Sequence, residues 1–314
     1  MALFGFGAPH QEQLRLTIAG LGIDLSWEGA RRSKEDGEVF FRDFLSDGHG
    51  NGRAPEPHLE QTVRLHLRCG DLPDVQPDRV IFDAADRNRW CLSRQNGRLL
   101  FEFFHTRPPH PKIQVALMAP DFRSGELYRR PDRIFPRRAW SLSWVMRPFG
   151  ELLVVNLLSQ GRGILVHGMG VADHGEGWLF VGRSGAGKST MAQLYGPCEH
   201  ATILGDERLV ITRAGGQFWL SGTPWPGEAM TVAPDTVPLR KIFFLEHGKR
   251  NELVQDTFVN LFGLLFQQLL LPFWNGEALS FAIGFAEELL TTLPAYRLPF
   301  VNDARVIEFL RSHR

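Results

Sequence analysis

The sequence is poor in cysteine and lysine, and each shortage narrows the range of functions. The three cysteines, Cys69, Cys91 and Cys198, lie far apart and none belongs to a C-x-x-C pair. That arrangement excludes the usual zinc and thioredoxin spacings and favours a reducing compartment. Only 5 of the 35 basic residues are lysines, so a lysine at a chemically meaningful position is easy to recognise.

The sequence also lacks net charge and long apolar segments. Its 35 basic and 35 acidic side chains cancel, which gives no general attraction to nucleic acids or anionic membranes. The most apolar segment, Val259–Phe273, is interrupted by Gln267 and Gln268 and is too short to span a bilayer. The first residues lack the basic start and continuous apolar stretch of a secretory signal. We therefore expect a cytoplasmic protein that has neither a nucleic acid nor a membrane as its partner.

The pattern of apolar and polar residues changes near the middle of the sequence. A chain of 314 residues is long enough for two domains. Residues 1–150 contain short alternating segments such as Thr62–Leu67 and Leu99–Phe104, with turn signals such as Asn96–Gly97. Residues 151–314 mix apolar strands with helices. We predict a smaller, mostly β domain in residues 1–150 and an α/β domain with a mixed sheet in residues 151–314.

The second half predicts a particular order of elements. The predicted helices are Leu152–Leu158, a helix from Ser189 to about Tyr195, Asp256–Leu271 and Asp303–Arg311. The predicted strands are Gly163–Val166, Trp178–Val181, Ala201–Leu204, Ile242–Leu245 and Tyr296–Phe300, with a hairpin formed by Leu209–Thr212 and Phe218–Leu220.

The strongest motif is a phosphate-binding loop. Residues Gly182–Ser189 match G-x-x-x-x-G-K-[ST] at every specified position, after an apolar strand and before a predicted helix. Glycines allow backbone N–H groups to turn towards phosphate oxygens, and the helix N-terminus adds positive potential. Lys188 can reach the β- and γ-phosphates, and the Ser189 hydroxyl can bind Mg²⁺. The predicted nucleotide contacts are Gly182, Arg183, Ser184, Gly185, Ala186, Gly187, Lys188, Ser189 and Thr190.

An acidic pair follows the next predicted strand. Asp206 and Glu207 come directly after Ala201–Gly205 and only 18 residues after Lys188. Phosphate-loop enzymes commonly have a carboxylate at the end of such a strand that binds the metal ion or acts as the general base, because a buried strand holds a charged side chain at its end in a fixed position. The alternative is that Asp206 lies in an ordinary surface turn.

The order of these motifs resembles one family. His167-Gly168, a glycine-rich turn at Gly175–Gly177, the loop Gly182–Ser189 and the pair Asp206-Glu207 succeed one another as in the catalytic domain of bacterial HPr serine kinase/phosphorylase. The chain is also similar to the wider group of HPr-kinase-like proteins, including the peptide serine kinases of lasso-peptide pathways. More distantly it resembles the nucleotide-binding core of ATP-dependent phosphoenolpyruvate carboxykinase. The resemblance covers residues 151–314 and implies an HPr-kinase-like P-loop domain.

The resemblance implies a role for each matching residue. Asp206 takes the place of the family's catalytic aspartate, which accepts the proton of the attacking hydroxyl, while Lys188 neutralises developing charge. Glu207 stands where the family has a second aspartate and would assist with a metal ion or with orientation. His167 would support the acidic pair, and the alternative is a strand-end histidine that is simply hydrogen-bonded.

One departure from the family lies after the acidic pair. The R-G-L-G-I-type run of HPr kinases is replaced here by the loop Ser221–Glu228. We expect this loop to shape the acceptor site, with Glu228 contacting metal or substrate, and a purely structural loop is the alternative. The predicted metal ligands are Ser189, Asp206, Glu207 and Glu228. The departure argues against HPr itself as the substrate and against the reverse phosphorolysis reaction.

The residues and the resemblance together predict a kinase that uses ATP and Mg²⁺ to phosphorylate a serine-type hydroxyl. The acceptor would be a peptide, a small protein or a small molecule, and residues 1–150 would help to select it. The resemblance also implies a possible homo-oligomer. The alternative is an ATP-binding regulatory or assembly protein without phosphotransfer activity. Carboxykinase chemistry is less attractive, because it needs a further metal site with histidine and lysine ligands in a chain with few lysines.

Overall fold

The computed structural model describes residues 12–28, 30–33, 36–46, 61–85, 89–105, 111–131 and 139–313. These residues form a mixed α/β structure with two large β-sheets and several helices. The chain divides into two compact units between Leu153 and Val154, and the short segment Ile18–Gly20 is not grouped with the first unit. The domain limits expected from the sequence, residues 1–150 and 151–314, stay a prediction.

The first unit consists mainly of strands. They are β1 Glu12–Ile18, β2 Leu21–Trp27, β3 Arg31–Arg32, β4 Leu45–Ser46, β5 Gln61–Cys69, β6 Arg79–Asp83, β7 Trp90–Gln95, β8 Arg98–Phe104, β9 Lys112–Met118, β10 Ser124–Arg129 and β11 Ala139–Trp140. A nine-stranded sheet has the order β4-β1-β2-β5-β10-β9-β8-β7-β6, and β3 pairs with β11. A 3₁₀ helix spans Asp36–Phe44, and the helices α1 (Leu142–Met146) and α2 (Phe149–Leu158) follow the last strand.

The second unit contains the motifs found in the sequence. Its strands are β12 Gly163–His167, β13 Met169–Asp173, β14 Glu176–Val181, β15 Ala201–Gly205, β16 Arg208–Ala214, β17 Gln217–Gly222, β18 Thr236–His247 and β19 Ala295–Phe300. Its further helices are α3 Lys188–Tyr195, α4 Phe258–Phe266, α5 Gly276–Thr292 and α6 Arg305–Ser312. The mixed sheet has the order β12-β16-β17-β18-β14-β13-β15, and β19 also pairs with β18.

Helices cover both faces of the central strands of this sheet. Trp178 and Phe180 of β14 point to one face, where they pack in a core with residues of α3 and α6. Leu179 and Val181 alternate with them and pack on the other face with residues of α4 and α5. All four side chains are fully buried. A strand buried on both faces reads as a continuous apolar run, which is how β14 appears in the sequence.

The carboxyl ends of four strands meet at one edge of this sheet. β14, β18 and β19 are parallel neighbours, and β15 runs in the direction of β14 because both are antiparallel to β13. The residues that follow Val181, Gly205, His247 and Phe300 therefore lie at the same edge. In open sheets with parallel strands, ligands bind outside this edge.

Most of the strands predicted for the second half are confirmed, whereas two helices differ from the prediction. The predicted helix Asp256–Leu271 is too long, because α4 begins after Thr257, whose side chain caps it. It ends at Phe266, and the following chain turns to the sheet, where the Leu270 N–H donates to Leu165 O. The prediction also missed β13 and the whole of α5.

The helix α5 is the longest described helix, with 17 residues. Its N-terminus is capped by Asn275, whose side-chain oxygen accepts from the N–H groups of Glu277 and Ala278. Within the described ranges, no helix combines the length and the apolar character required to cross a lipid bilayer.

Candidate active site

The phosphate loop connects β14 to α3 and holds two glycines in the left-handed region. Gly185 has φ +80° and lies third in a turn that the Ala186 N–H closes by donating to Arg183 O at 3.0 Å. Gly187 has φ +106°, and a Cβ added there would lie 2.6 Å from Cζ of Phe300. Only glycine combines this backbone conformation with so close an approach. The loop is therefore a tight cradle whose helix N-terminus faces a pocket.

Lys188 is the buried cation of this cradle. Its side chain is 8% exposed, and Nζ donates to the carbonyl oxygens of Gly182 at 2.8 Å and Arg183 at 3.3 Å. Burial lowers the pKa of Lys188 below its ordinary value, and the negative charges of Glu207 and Glu228 counteract only part of that effect. The ammonium group is thus held by the loop that an incoming anion would contact.

Asp206 lies at the end of β15 and binds the backbone of the neighbouring loop. One carboxylate oxygen accepts the Gly227 N–H at 2.8 Å and the other accepts the Ala229 N–H at 2.6 Å. The side chain is 3% exposed. A Cβ added at Gly227 would lie 2.8 Å from the Asp206 carboxylate, so this approach requires glycine. Asp206 therefore fixes the loop Ser221–Glu228 as well as facing the pocket.

The residue between these two N–H groups is Glu228, and the loop turns it towards the phosphate loop. Ser189 Oγ donates to Glu228 Oε2 at 3.3 Å. The same loop is anchored by Trp225, which is fully buried, and by Thr223, whose hydroxyl donates to Arg208 O at 2.7 Å. Two of the four predicted metal ligands, Ser189 and Glu228, are thus in direct contact.

Glu207 belongs to a charged cluster with His167 and Arg208. Its Oε2 lies 3.2 Å from His167 Nδ1, and its Oε1 accepts from Arg208 Nη1 at 2.5 Å. Arg208 Nη1 also lies 2.9 Å from His167 Nδ1. Arg208 can only donate hydrogen bonds, and the Glu207 carboxylate can only accept them. His167 Nδ1 can therefore accept from Arg208 or donate to Glu207, but it cannot do both at once. Burial raises the pKa of Glu207, but the hydrogen bond with His167 and the charge of Arg208 outweigh it, so the net pKa is below its ordinary value.

One pocket of about 260 Å³ collects residues from all these elements. It is lined by His167, Ser184, Gly185, Gly187, Lys188, Ser189, Thr190, Asp206, Glu207 and Glu228. Of the residues predicted for the site, only Gly182, Arg183 and Ala186 are absent from this lining. The first two accept the Lys188 hydrogen bonds through their carbonyl oxygens, and Ala186 closes the turn.

The donor set suits a polyphosphate with a hard cation. A helix N-terminus, Lys188 and the loop backbone offer positive potential to an anion. The Ser189 hydroxyl and the Glu228 carboxylate offer oxygen ligands of the kind that Mg²⁺ takes together with phosphate oxygens. In the part of the chain that the structure describes, no three His, Cys, Asp or Glu side chains are grouped as metal ligands. A cation at this site would therefore rely on phosphate oxygens and water for its remaining ligands.

Sequence reasoning missed three residues that shape the site. His247 Nε2 lies 2.8 Å from Gly185 O, Phe300 packs against Gly187, and Arg208 joins the cluster with Glu207. In the sequence, the adjacent Glu246 favours a surface pair as the interpretation of His247. Its place directly after the apolar run Ile242–Leu245 and Glu246, at the carboxyl end of a strand, is the sequence signal that could have identified it.

No protein-family model matches the chain, and no curated protein matches its sequence.

Proposed function

We propose that the chain is an Mg²⁺- and ATP-dependent kinase that phosphorylates a serine-type hydroxyl, with an HPr-kinase-like P-loop domain in residues 151–314. One observation carries this proposal. A single pocket combines the phosphate-loop residues Lys188 and Ser189 with carboxylates that arrive from two other segments, Asp206 and Glu228. Phosphoryl transfer requires this combination of anion binding, cation binding and a nearby proton acceptor.

The phosphate loop is the proposed binding site for the triphosphate. Its backbone N–H groups and Lys188 bind the phosphate oxygens, so that Nζ exchanges the carbonyl oxygens of Gly182 and Arg183 for the ligand. Ser189 and Glu228 are the residues best placed to hold Mg²⁺, since their side-chain oxygens already meet. The cation would screen the charge of the β- and γ-phosphates.

Asp206 is the proposed proton acceptor. The acceptor hydroxyl gives its proton to the carboxylate as its oxygen bonds to the γ-phosphorus, and the bond to the bridging oxygen of the departing ADP breaks. The Gly227 and Ala229 N–H groups orient the carboxylate, and a carboxylate has further lone pairs available beyond these two bonds. Glu207 serves orientation in this scheme, because both of its oxygens contact His167 or Arg208.

The acceptor is a hydroxyl on a peptide, a small protein or a small molecule, and the N-terminal half is the proposed accessory domain for its recognition. The predicted cytoplasmic location is part of this proposal, since both ATP and Mg²⁺ are present there. The departure from the HPr kinase pattern at Ser221–Glu228 supports an acceptor other than HPr.

One observation favours a second candidate, an ATP-binding regulatory or assembly protein without phosphotransfer. Both oxygens of Asp206 bind the backbone of the adjacent loop, and the side chain is 3% exposed. A carboxylate held in this way can serve structure alone. Nucleotide binding would then change the Ser189–Glu228 contact and the position of the loop, without transfer of phosphate.

Labelled phosphate distinguishes the two candidates. The wild-type chain is incubated with γ-labelled ATP, Mg²⁺ and a cell extract, and labelled species are identified by mass spectrometry. The kinase proposal predicts a labelled hydroxyl acceptor with the wild type and none with Asp206→Asn, while ADP binding persists in that variant. Nucleotide binding without any labelled acceptor would favour the regulatory protein, and full transfer by Asp206→Asn would exclude Asp206 as the proton acceptor.

A further inference from the structure

The ends of two neighbouring strands contact the two left-handed glycines of the phosphate loop. His247 ends β18 and Phe300 ends β19, and these two residues are Cα partners across the parallel strand pair. His247 contacts Gly185, and Phe300 packs on Gly187. We propose that His247 is a positioning residue for polyphosphate binding, holding the phosphate loop through the Gly185 carbonyl. This proposal rests on the proposed nucleotide site.

The contact between His247 and Gly185 has one chemical interpretation. A carbonyl oxygen only accepts hydrogen bonds, so the Nε2 atom at 2.8 Å carries a proton and donates it. The neutral ring with its proton on Nε2 and the imidazolium ion both meet this condition.

This bond fixes the peptide plane between Gly185 and Ala186 from outside the loop. The Ala186 N–H, at one end of this planar peptide group, donates to Arg183 O within the turn. The Gly185 carbonyl points the opposite way in the same plane and accepts from His247. The φ of +80° at Gly185 is the value that a type II turn requires at its third residue. Without His247, only the Ala186–Arg183 bond holds this peptide group, and a carbonyl that rotated towards the pocket would repel phosphate oxygens.

His247 is itself held on a rigid support. Its neighbour Glu246 accepts two hydrogen bonds from Arg297, both at 2.6 Å, across the β18–β19 pair. The following residue, Gly248, donates its N–H to Phe300 O at 3.0 Å. A Cβ at Gly248 would lie 2.8 Å from Pro299, which shows how closely the chain crosses the end of β19. The strand ends can thus impose a fixed position on the loop.

The functional consequence concerns affinity and not the chemical step. The free protein keeps its loop in the shape that the anion needs, so binding does not have to restrict it further. Loss of one neutral hydrogen bond of this kind corresponds to about three- to tenfold weaker binding of the polyphosphate. We expect the apparent KM for ATP to rise by this factor, while kcat changes less than twofold, about the size of assay error.

The test compares three variants of the full chain by calorimetry with ADP and Mg²⁺. His247→Leu removes the donor, His247→Gln restores an N–H donor at a similar distance, and His105→Ala removes an exposed histidine from the first unit. Hydrogen exchange of the amides of residues 183–188 is measured in the nucleotide-free proteins, and thermal unfolding reports any general loss of stability.

We expect weaker ADP binding and faster loop exchange for His247→Leu, with wild-type values for His247→Gln and His105→Ala. Wild-type ADP binding and wild-type loop exchange in His247→Leu would overturn the role of His247. A wild-type chain that binds no ADP would instead overturn the proposed nucleotide site. Equal weakening in His247→Leu and His247→Gln would show that the imidazole, and not its donated hydrogen bond, is required.

Discussion

Gly185 and Gly187 of the phosphate loop both have left-handed backbone conformations, but we expect substitution by alanine to lower the free energy of unfolding by very different amounts at the two positions. At Gly185, a Cβ would meet no atom within 4 Å, so Gly185→Ala is opposed only by the backbone conformation. At Gly187, the new Cβ would lie 2.6 and 2.9 Å from two ring carbons of Phe300, which is 4% exposed and packed in the core. The ring cannot move away without disturbing that core.

The magnitudes follow from these two terms. An L-residue in the left-handed region costs about 1–2 kcal/mol at either position. Overpacking a filled core adds about 1–3 kcal/mol at Gly187 alone. Alanine also restricts the unfolded chain more than glycine does, which stabilises both variants by a similar amount, about 0.4–1 kcal/mol. We therefore expect Gly187→Ala to lose about 1–3 kcal/mol more free energy of unfolding than Gly185→Ala.

Urea unfolding of the two variants and the wild type measures this difference. The double variant Gly187→Ala/Phe300→Val tests its cause, because the shorter side chain removes the contact and should give a favourable coupling energy of about 1–3 kcal/mol. Equal losses for the two single variants, together with no coupling, would refute the proposed contact between Gly187 and Phe300.

Three further predictions concern charged groups of the second unit. Asp206→Asn turns an amide N–H towards one of the N–H groups of Gly227–Ala229, so urea unfolding should show a loss of about 2–4 kcal/mol, and an unchanged midpoint would contradict the contact. Arg311→Gln removes the bidentate partner of Asp173, a side chain with 0% exposure that keeps its contact with His174 Nδ1, and should cost about 1–3 kcal/mol by the same measurement, with an unchanged midpoint as the contrary result. The pKa of Glu207 is below its ordinary value of 4.5 in the folded chain, so its stabilising contribution is complete above pH 4.5 and is lost as the pH falls further. Glu207→Gln should flatten the acid side of the stability–pH curve, and an unchanged slope would contradict this assignment.

The sequence was sufficient for the parts of the site that depend on local pattern. The phosphate loop follows an apolar strand, and Asp206 follows another, so a motif and its neighbouring strand identify each. The two strands run in the same direction, so the phosphate loop and Asp206 lie at the same edge of the sheet. This is why Lys188 and Asp206 line the same pocket. The resemblance to HPr kinases stays a prediction, because only the mixed α/β class follows from the fold.

The rest of the site depends on strand register and loop contacts that no local pattern encodes. His247 and Phe300 reach the phosphate loop because β18 and β19 pair with a particular register. The two backbone bonds to Asp206 depend on the path of the loop Ser221–Glu228. The helix α5 was missed for a different reason. Its interior glycine, Gly284, weakens the helical signal, and packing of its apolar face on the sheet compensates for it.

Calorimetric titration with ATP and Mg²⁺ measures whether the phosphate loop Gly182–Ser189 binds a polyphosphate. The account predicts one saturable site per chain, with much weaker binding in Lys188→Met, whose apolar side chain of similar length keeps the packing but removes the buried ammonium group. Absence of heat at millimolar ATP, or equal affinity in Lys188→Met, would contradict it.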